Sequence, residues 1–306
     1  MVYLVTGGAG FIGSHMAERL LEDGHDVVII DDLSHGNEKN LQKGALFIKR
    51  KVQDVLDDVF KENKFDAVFH FAAVHMVQYS IDYPEETHKA NVEGTHNLLM
   101  MCRKHGVKRF IMSSSAAVYG EPETLPIQET STLKPMSPYA LHKKIAEDYC
   151  RLYHFLYQME TVCLRYFNVY GPRQNPEGGY ANLIPKVIKL LNNNKSPTIF
   201  GDGEQTRDFI FVGDVVEANM KAATATNAEI FGKAFNIGTG KNLSVNDVMS
   251  SLIKISNSEV KPVHGPPVIE PKHALADVSR AKKTLGWEPK TNFFEGIKRT
   301  YNHFKN

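Results

Sequence analysis

The chain is short of cysteine and almost without net charge, and each shortage excludes something. Its 306 residues hold three cysteines, Cys102, Cys150 and Cys163. The number is odd and no CxxC pair occurs, so a disulfide framework is not expected. Free thiols fit a reducing compartment, and the chain is expected to be cytoplasmic. Lys and Arg number 36 against 35 Asp and Glu, so no basic excess points to nucleic acid or to an anionic membrane surface. An anionic ligand must then be held by local groups rather than by an overall field. No apolar run approaches the ~18 residues of a membrane-spanning helix. The opening MVYLVTGG has neither a basic stretch nor a small-residue cleavage site, so it is not expected to be a signal peptide. Thirteen histidines form no HxH or HExxH, and no acidic cluster accompanies them, so no metal is expected.

What is present is an ordinary apolar fraction of 42%, enough for a buried core. Short apolar runs at Val2–Thr6, Asp26–Asp31, Ala45–Ile48, Ala67–Phe71 and Arg109–Ser113 read as strands. Helical spacing from Phe11 to Leu21, and the stretches His88–His105 and Tyr139–Tyr157, read as the helices between them. Strands without alternation, separated by helices, imply an α/β fold: a doubly wound parallel sheet covered on both faces, with ligands at the carboxyl ends of the strands. The second half is less regular. The turn-rich segment Pro172 to Gly179 begins an excursion into a smaller lobe, Phe209–Val212 and Ala234–Ile237 read as strands, and Val260–Pro271 reads as irregular. The second of those strands is expected to return to the main sheet. This divides the chain into residues 1–167 plus about 209–240, Rossmann-type, and 168–208 plus about 241–306, a substrate-binding lobe.

Gly7, Gly10 and Gly13 are spaced GxxGxxG between the first strand and the first helix. Glycine lets that turn take positive φ and lets backbone approach a pyrophosphate. The helix start at Phe11 and Ile12 then offers N–H groups and a positive dipole end. Asp31 ends the second strand and can accept hydrogen bonds from a ribose diol. It would repel a 2′-phosphate, which favours NAD over NADP. The alternative is that Asp31 and Asp32 are only turn or cap residues. Asp54 and Val55 could frame an adenine, and Phe71, Ala72 and Ala73 could lie against a dinucleotide, although each alone is also ordinary loop chemistry.

Tyr139 and Lys143 stand four apart on an expected helix and share one face. A nearby ammonium is expected to favour the phenolate and lower the tyrosine pKa toward neutrality. The tyrosine could then exchange a proton with a sugar hydroxyl. Tyr301 and Lys305 repeat the spacing near the C-terminus and are read as a decoy on a terminal helix. What distinguishes Tyr139 is the serine run Ser113–Ser115 at the mouth of the sheet.

With TGGAGFIG (6–13), SSSAAVYG (113–120), SPYALHKK (137–144), RYFNVYGPRQ (165–174), GDGEQTRDFIFV (201–212) and LGWEPK (285–290), the chain resembles the extended short-chain dehydrogenase/reductase family over almost its whole length. It is most similar to the NAD-dependent nucleotide-sugar epimerases typified by UDP-glucose 4-epimerase. The resemblance implies that Ser115, Tyr139 and Lys143 are catalytic. It implies that Gly7, Gly10, Phe11, Ile12, Gly13, Asp31, Asp32, Asp54, Val55, Phe71, Ala72, Ala73, Asn91, Ser113 and Tyr166, with Tyr139 and Lys143, face NAD. It implies that Asn168, Asn182, Leu183, Arg207, Glu270 and Ala274, with Ser115, face a nucleotide-sugar, which is expected to be a UDP-hexose. The reaction implied is inversion at C4 through a transient 4-keto sugar. The helices 88–105 and 139–157 are expected to pair with a second subunit in a homodimer; the alternative is burial within the monomer.

Departures from the family pattern narrow the reading. Ala116 and Ala117 stand where related dehydratases carry an acidic pair, which disfavours water elimination. An arginine that usually holds the diphosphate near Pro267 is absent, with Lys272 a possible substitute. Ala274 stands where a tyrosine is associated with exclusion of 2-acetamido sugars, so N-acetylhexosamines are expected to be tolerated unless the loop is simply repacked. Another epimerase, a reductase or a decarboxylase of the same family is the alternative function. A non-catalytic NAD-binding protein is the remote one.

Overall fold

The structure, a computed structural model, describes residues 1–177, 182–267 and 272–305. Its strands are β1 (Val2–Thr6), β2 (Asp26–Asp31), β3 (Leu46–Lys49), β4 (Ala67–His70), β5 (Arg109–Ser115), β6 (Glu160–Tyr166), β7 (Asn168–Tyr170), β8 (Thr198–Phe200), β9 (Thr206–Arg207), β10 (Phe209–Phe211), β11 (Lys233–Ile237), β12 (Leu243–Ser244) and β13 (Val263–Gly265). The α-helices are α1 (Phe11–Glu22), α2 (Asp57–Glu62), α3 (Val77–Asp82), α4 (Pro84–His88), α5 (Gly94–His105), α6 (Pro138–Tyr157), α7 (Leu183–Asn192), α8 (Val212–Thr224), α9 (Val245–Ser256) and α10 (Phe293–Lys305).

Seven strands form one sheet in the order β11-β6-β5-β4-β1-β2-β3, every pair parallel. This is the expected α/β arrangement, because each strand is buried on both faces. Val5 and Ile29 point to one side, where Met16 and Leu20 of α1 and Val215 and Ala218 of α8 cover them. Leu4, Val28 and Ile30 point to the other, against Leu98 and Leu99 of α5 and Ala146 and Cys150 of α6. The strand order reverses direction between β1 and β4. Helices leave those two strands on opposite faces, which opens a cleft at their carboxyl ends.

A third apolar cluster lies apart from the sheet. Ile184, Val187, Ile188 and Leu191 of α7 pack with Val248 and Leu252 of α9 and Ile297 and Tyr301 of α10. Three two-stranded pairs, β7 with β10, β9 with β12 and β8 with β13, complete this region.

Several boundaries differ from the expectations. The run 209–212 ends at Phe211 and pairs with β7, not with the main sheet, while Val212 opens α8. The helix expected over 88–105 begins at Pro84 and passes through a π turn at Lys89–Glu93. Proline suits a first helical position because its fixed φ is already helical. Residues 260–267, the described part of the segment 260–271, are not wholly irregular: Pro262, Pro266 and Pro267 flank β13, whose backbone pairs with β8 without needing an apolar pattern. β5 runs two residues past its expected end, carrying the serines with it, and β11 joins the main sheet beside β6 as expected. Tyr301 and Lys305 lie on α10, with Tyr301 in the third cluster. No helix among the described residues is long and apolar enough to cross a membrane.

Candidate active site

A cavity of about 1650 Å³ lies at the carboxyl end of the sheet, between it and α7. That exceeds the ~300–1,000 Å³ of a single small-ligand site. Its floor is the turn after β1. Gly7 has φ +71°, and a Cβ there would meet Ala72 N at 2.6 Å; at Gly13 it would meet Gly7 O at 2.2 Å. These two glycines are required by backbone packing. Gly10 differs, because a Cβ there would meet only Gly7 O, at 3.1 Å, and Gly10 lines the cavity. No side chain caps α1 at Gly10, so its first N–H groups are left for an anion.

Asp31 closes one side of this floor. Its carboxylate accepts from Ala9 N–H at 3.0 Å and Leu33 N–H at 2.8 Å. Burial raises its pKa and those two N–H bonds oppose the rise. Asp32 accepts from both N–H and hydroxyl of Ser34, a turn role. Both residues nevertheless line the cavity. The loop that follows β2 folds back over the glycine turn, with Asn37 N–H and Asn40 Nδ2 both donating to Ala9 O.

At the end of β4, Phe71, Ala72 and Ala73 line the cavity as expected. They are held from behind. Asn91, which does not reach the wall, exchanges two hydrogen bonds with the backbone of Val74, at 2.7 and 2.9 Å. The buried ring of His70 bridges Thr6 and Thr95 at 2.8 Å on each side. Thr95 donates its proton to Asn91 O, so it can only accept from His70 Nε2. Burial lowers the His70 pKa to about 3, and the ring is a neutral strut. Asp54 and Val55 also miss the wall. The Asp54 carboxylate caps Lys51 N–H and Val55 is 81% exposed, while Val52 and Gln53 face the cavity instead.

Ser115, Tyr139 and Lys143 converge on the same cavity. Ser137 caps α6 and Pro138 opens it. Tyr139, in the first turn, donates its N–H to Ser80 Oγ at 3.1 Å and shares a side-chain hydrogen bond with Ser115. One turn on, Lys143 Nζ donates to Ser113 O at 2.7 Å. Burial raises the Tyr139 pKa and the Ser115 bond opposes it. Burial lowers Lys143 to about 8. The expected pull of the ammonium on the phenol is therefore not seen. Lys143 spends a proton on Ser113 O, 5.9 Å separates Nζ from the Tyr139 ring centre, and desolvation outweighs what remains. Tyr166 also lines the cavity, its hydroxyl fixed by Asn219.

Asn168, Asn182, Leu183 and Arg207 line the far side. Arg207 Nη1 donates to Thr206 O at 2.9 Å and Lys272 O at 3.3 Å. Glu270 lies outside the described residues. Ala274 is set back from the wall, its N–H donating to Thr206 O at 3.2 Å. Lys272 is likewise off the wall, whereas Lys186, one turn into α7, lines it. Sequence reasoning missed Lys186, although its spacing from Asn182, Leu183 and Leu190 puts all four on one helix face.

A GxxGxxG turn under a parallel sheet, with serine, tyrosine and lysine at its mouth, defines a dinucleotide-dependent enzyme. The sequence model of the NAD dependent epimerase/dehydratase family matches residues 3–238, and the chain belongs to that family. It is 37% identical to a UDP-glucose 4-epimerase of Mycolicibacterium smegmatis, over 99% of this chain and 98% of the relative. Among solved structures it is similar to the UDP-glucose 4-epimerase of Thermotoga maritima with UDP-glucose, at a TM-score of 0.96 and 38% identity, covering 100% of this chain and 99% of the other. The UDP-N-acetylglucosamine 4-epimerase of Methanobrevibacter ruminantium, in complex with UDP-N-acetylmuramic acid, follows at a TM-score of 0.93 and 35% identity, covering 99% and 97%. NAD is the cofactor of the family, and the open cradle at Gly10, the uncapped start of α1 and the Asp31 carboxylate fit it.

Proposed function

We propose that the chain inverts C4 of a UDP-hexose, interconverting UDP-glucose and UDP-galactose through a transient 4-keto sugar. The observation that carries this is the convergence of Ser115, Tyr139 and Lys143 in one cavity with the glycine turn and Arg207. Bound NAD supplies a reversible hydride acceptor. Tyr139 takes the proton of the 4-hydroxyl and later returns it, and Ser115 hydrogen-bonds both the phenol and the reacting oxygen. Lys143 stays protonated below its pKa of about 8; the chain's own groups do not lower the Tyr139 pKa, and the positive nicotinamide of bound NAD would add to the ammonium the charge that favours the phenolate. Arg207 and Lys186 take the diphosphate, the guanidinium matching its oxygens as a fork. Ala116 and Ala117 offer no acid to protonate a leaving hydroxyl, so elimination is disfavoured. Tyr139→Phe is expected to lower kcat at least ~100-fold, the scale of one lost general base, while NAD stays bound. Near-normal turnover would refute the assignment.

The same reading extends to partners and specificity. Residues 1–167 plus about 209–240 hold NAD, and 168–208 plus about 241–306 hold the nucleotide-sugar, although β10 pairs with β7 across that division. N-acetylhexosamines are accepted as well, and Ala274→Tyr is expected to lower the N-acetyl/non-acetyl activity ratio. Leu152, Phe155 and Leu156 of α6 and Met100 of α5 are exposed, which supports a homodimer through these helices; a monomer at micromolar concentration in a sizing measurement would remove that claim. Three buried free cysteines support a reducing, cytoplasmic setting.

A further inference from the structure

The three serines that end β5 each meet one residue of α6. Ser115 bonds Tyr139, Ser113 accepts from Lys143, and the Ser114 hydroxyl donates to Glu147. Glu147 lies one helical turn beyond Lys143, on the same face. It is 8% exposed, and so is nearly lost to solvent together with Arg165, at 5%. Arg165, paired with Ser114 across β5 and β6, grips its carboxylate twice, at 2.9 and 2.7 Å. The remaining guanidinium nitrogen donates to Tyr119 Oη at 2.8 Å and Glu129 O at 3.2 Å. Tyr119 in turn donates to Asn236 at 2.6 Å.

A buried ion pair is a poor device for stability, because well-packed apolar residues of the same volume do as well or better. Its position calls for another reason. The titratable groups facing Lys143 are Tyr139, His142 and Cys150 from its own helix, Cys163 from β6, and His70 and His75 from β4 and the loop after it. Burial holds all three histidines at about 3 to 4, and a hydrogen bond with Cys150, together with burial, holds the Cys163 thiol far above its usual value, so none of these four is charged at neutral pH. Glu147, one helical turn along α6 from Lys143, is the carboxylate whose charge acts on the ammonium.

On the acid/base reading given above, we propose that Glu147, anchored by Arg165, is a positioning residue that keeps Lys143 protonated and holds the serine strand end against Tyr139 and Lys143. It touches neither substrate nor cofactor. Burial alone pushes Lys143 down, and the carboxylate opposes that push. Removing the negative charge must therefore lower the Lys143 pKa further.

The test is the pH profile of UDP-galactose turnover by the holoenzyme carrying Glu147→Gln, which keeps the shape and an acceptor for Ser114. The alkaline limb of kcat should move toward acid by about one pH unit, the size of one nearby charge, with KM unchanged. Glu147→Asp, which keeps the charge, should return the limb to its wild-type position. If the orphaned guanidinium unfolds the single variant, Glu147→Gln with Arg165→Met removes both charges and should show a smaller displacement in the same direction, because the guanidinium that partly offsets the carboxylate goes with it. A substrate-independent readout is the NMR titration of ¹³C-labelled lysine, with the Lys143 signal assigned by its loss in Lys143→Arg. A limb and a Lys143 titration both unmoved in a folded variant, whatever the fall in kcat, would overturn the proposal and leave Glu147 a structural prop. Normal turnover by Tyr139→Phe would instead overturn the acid/base reading, and the proposal with it.

Discussion

Replacing Gly10 and Gly13 by alanine, one at a time, separates glycines that the fold needs from the glycine that the ligand needs. At Gly13 the new methyl carbon would lie 2.2 Å from Gly7 O, 2.8 Å from Gly7 C and 3.1 Å from Gly8 Cα. All three are backbone atoms, so no side chain can swing away. Overpacking of this kind costs ~1–3 kcal/mol, and with backbone on the crowded side the upper figure applies. In a chain of this size that lowers Tm by about 6 °C. Gly10 has φ −80° and ψ −178°, which any L-residue adopts, and the methyl would meet only Gly7 O at 3.1 Å. The cost to the fold is then about 0.5–1 kcal/mol, the loss of glycine at a helix N-cap. On the proposed NAD placement the methyl would stand where phosphate oxygens approach the start of α1, and a loss of ~1.4 kcal/mol or more corresponds to at least tenfold weaker binding. Melting curves on cofactor-free protein, with NAD content measured after acid release, read the two effects separately. Gly10→Ala should melt within about 2 °C of the wild type and lose NAD; Gly13→Ala should melt low. A Gly10→Ala protein that retained NAD like the wild type would refute the placement of the pyrophosphate.

Lys186→Ala should raise KM for the UDP-sugar about tenfold, the value of one hydrogen bond to a charged group, with little change in kcat; steady-state kinetics read both. Val55→Ala should leave NAD content and Tm unaltered, since the side chain is 81% exposed and off the cavity wall; a measurable loss of NAD would contradict that placement. Asp208 is fully buried and its carboxylate accepts from Thr239 N–H and hydroxyl, Gly240 N–H and Ala276 N–H. Asp208→Ala orphans these donors and should lower stability by about 3 kcal/mol or more, measured by denaturant unfolding.

Local signals carried the first half of the chain well. β1 and β2 fall where their apolar runs place them, because a fully buried strand and its glycine punctuation are both local. The serine, tyrosine and lysine of the site were legible for a similar reason: one stands at a strand end and two share a helix face. What was not legible is non-local. Nothing near Val212 says that the strand before it pairs with β7, and nothing near Val55 says that its side chain turns outward while Gln53 turns in. Asn91 sits behind the cavity because it ties α5's approach to the loop at Val74, a contact made across 17 residues. The Tyr139 pKa ran opposite to expectation because burial, which no spacing reveals, outweighs a nearby charge. Glu147 and Arg165, 18 residues apart, meet only in the fold, and the sequence singles out neither.

On the proposed function, Tyr139 and its partners invert a hydroxyl-bearing carbon with no net change in the cofactor. The most direct test is to incubate the purified protein with UDP-galactose, without added NAD, and follow products by proton NMR and NADH by absorbance. UDP-glucose should appear toward an equilibrium mixture with no NADH accumulating. Stoichiometric NADH with an oxidised sugar, or no conversion by a protein that retains bound NAD, would contradict it.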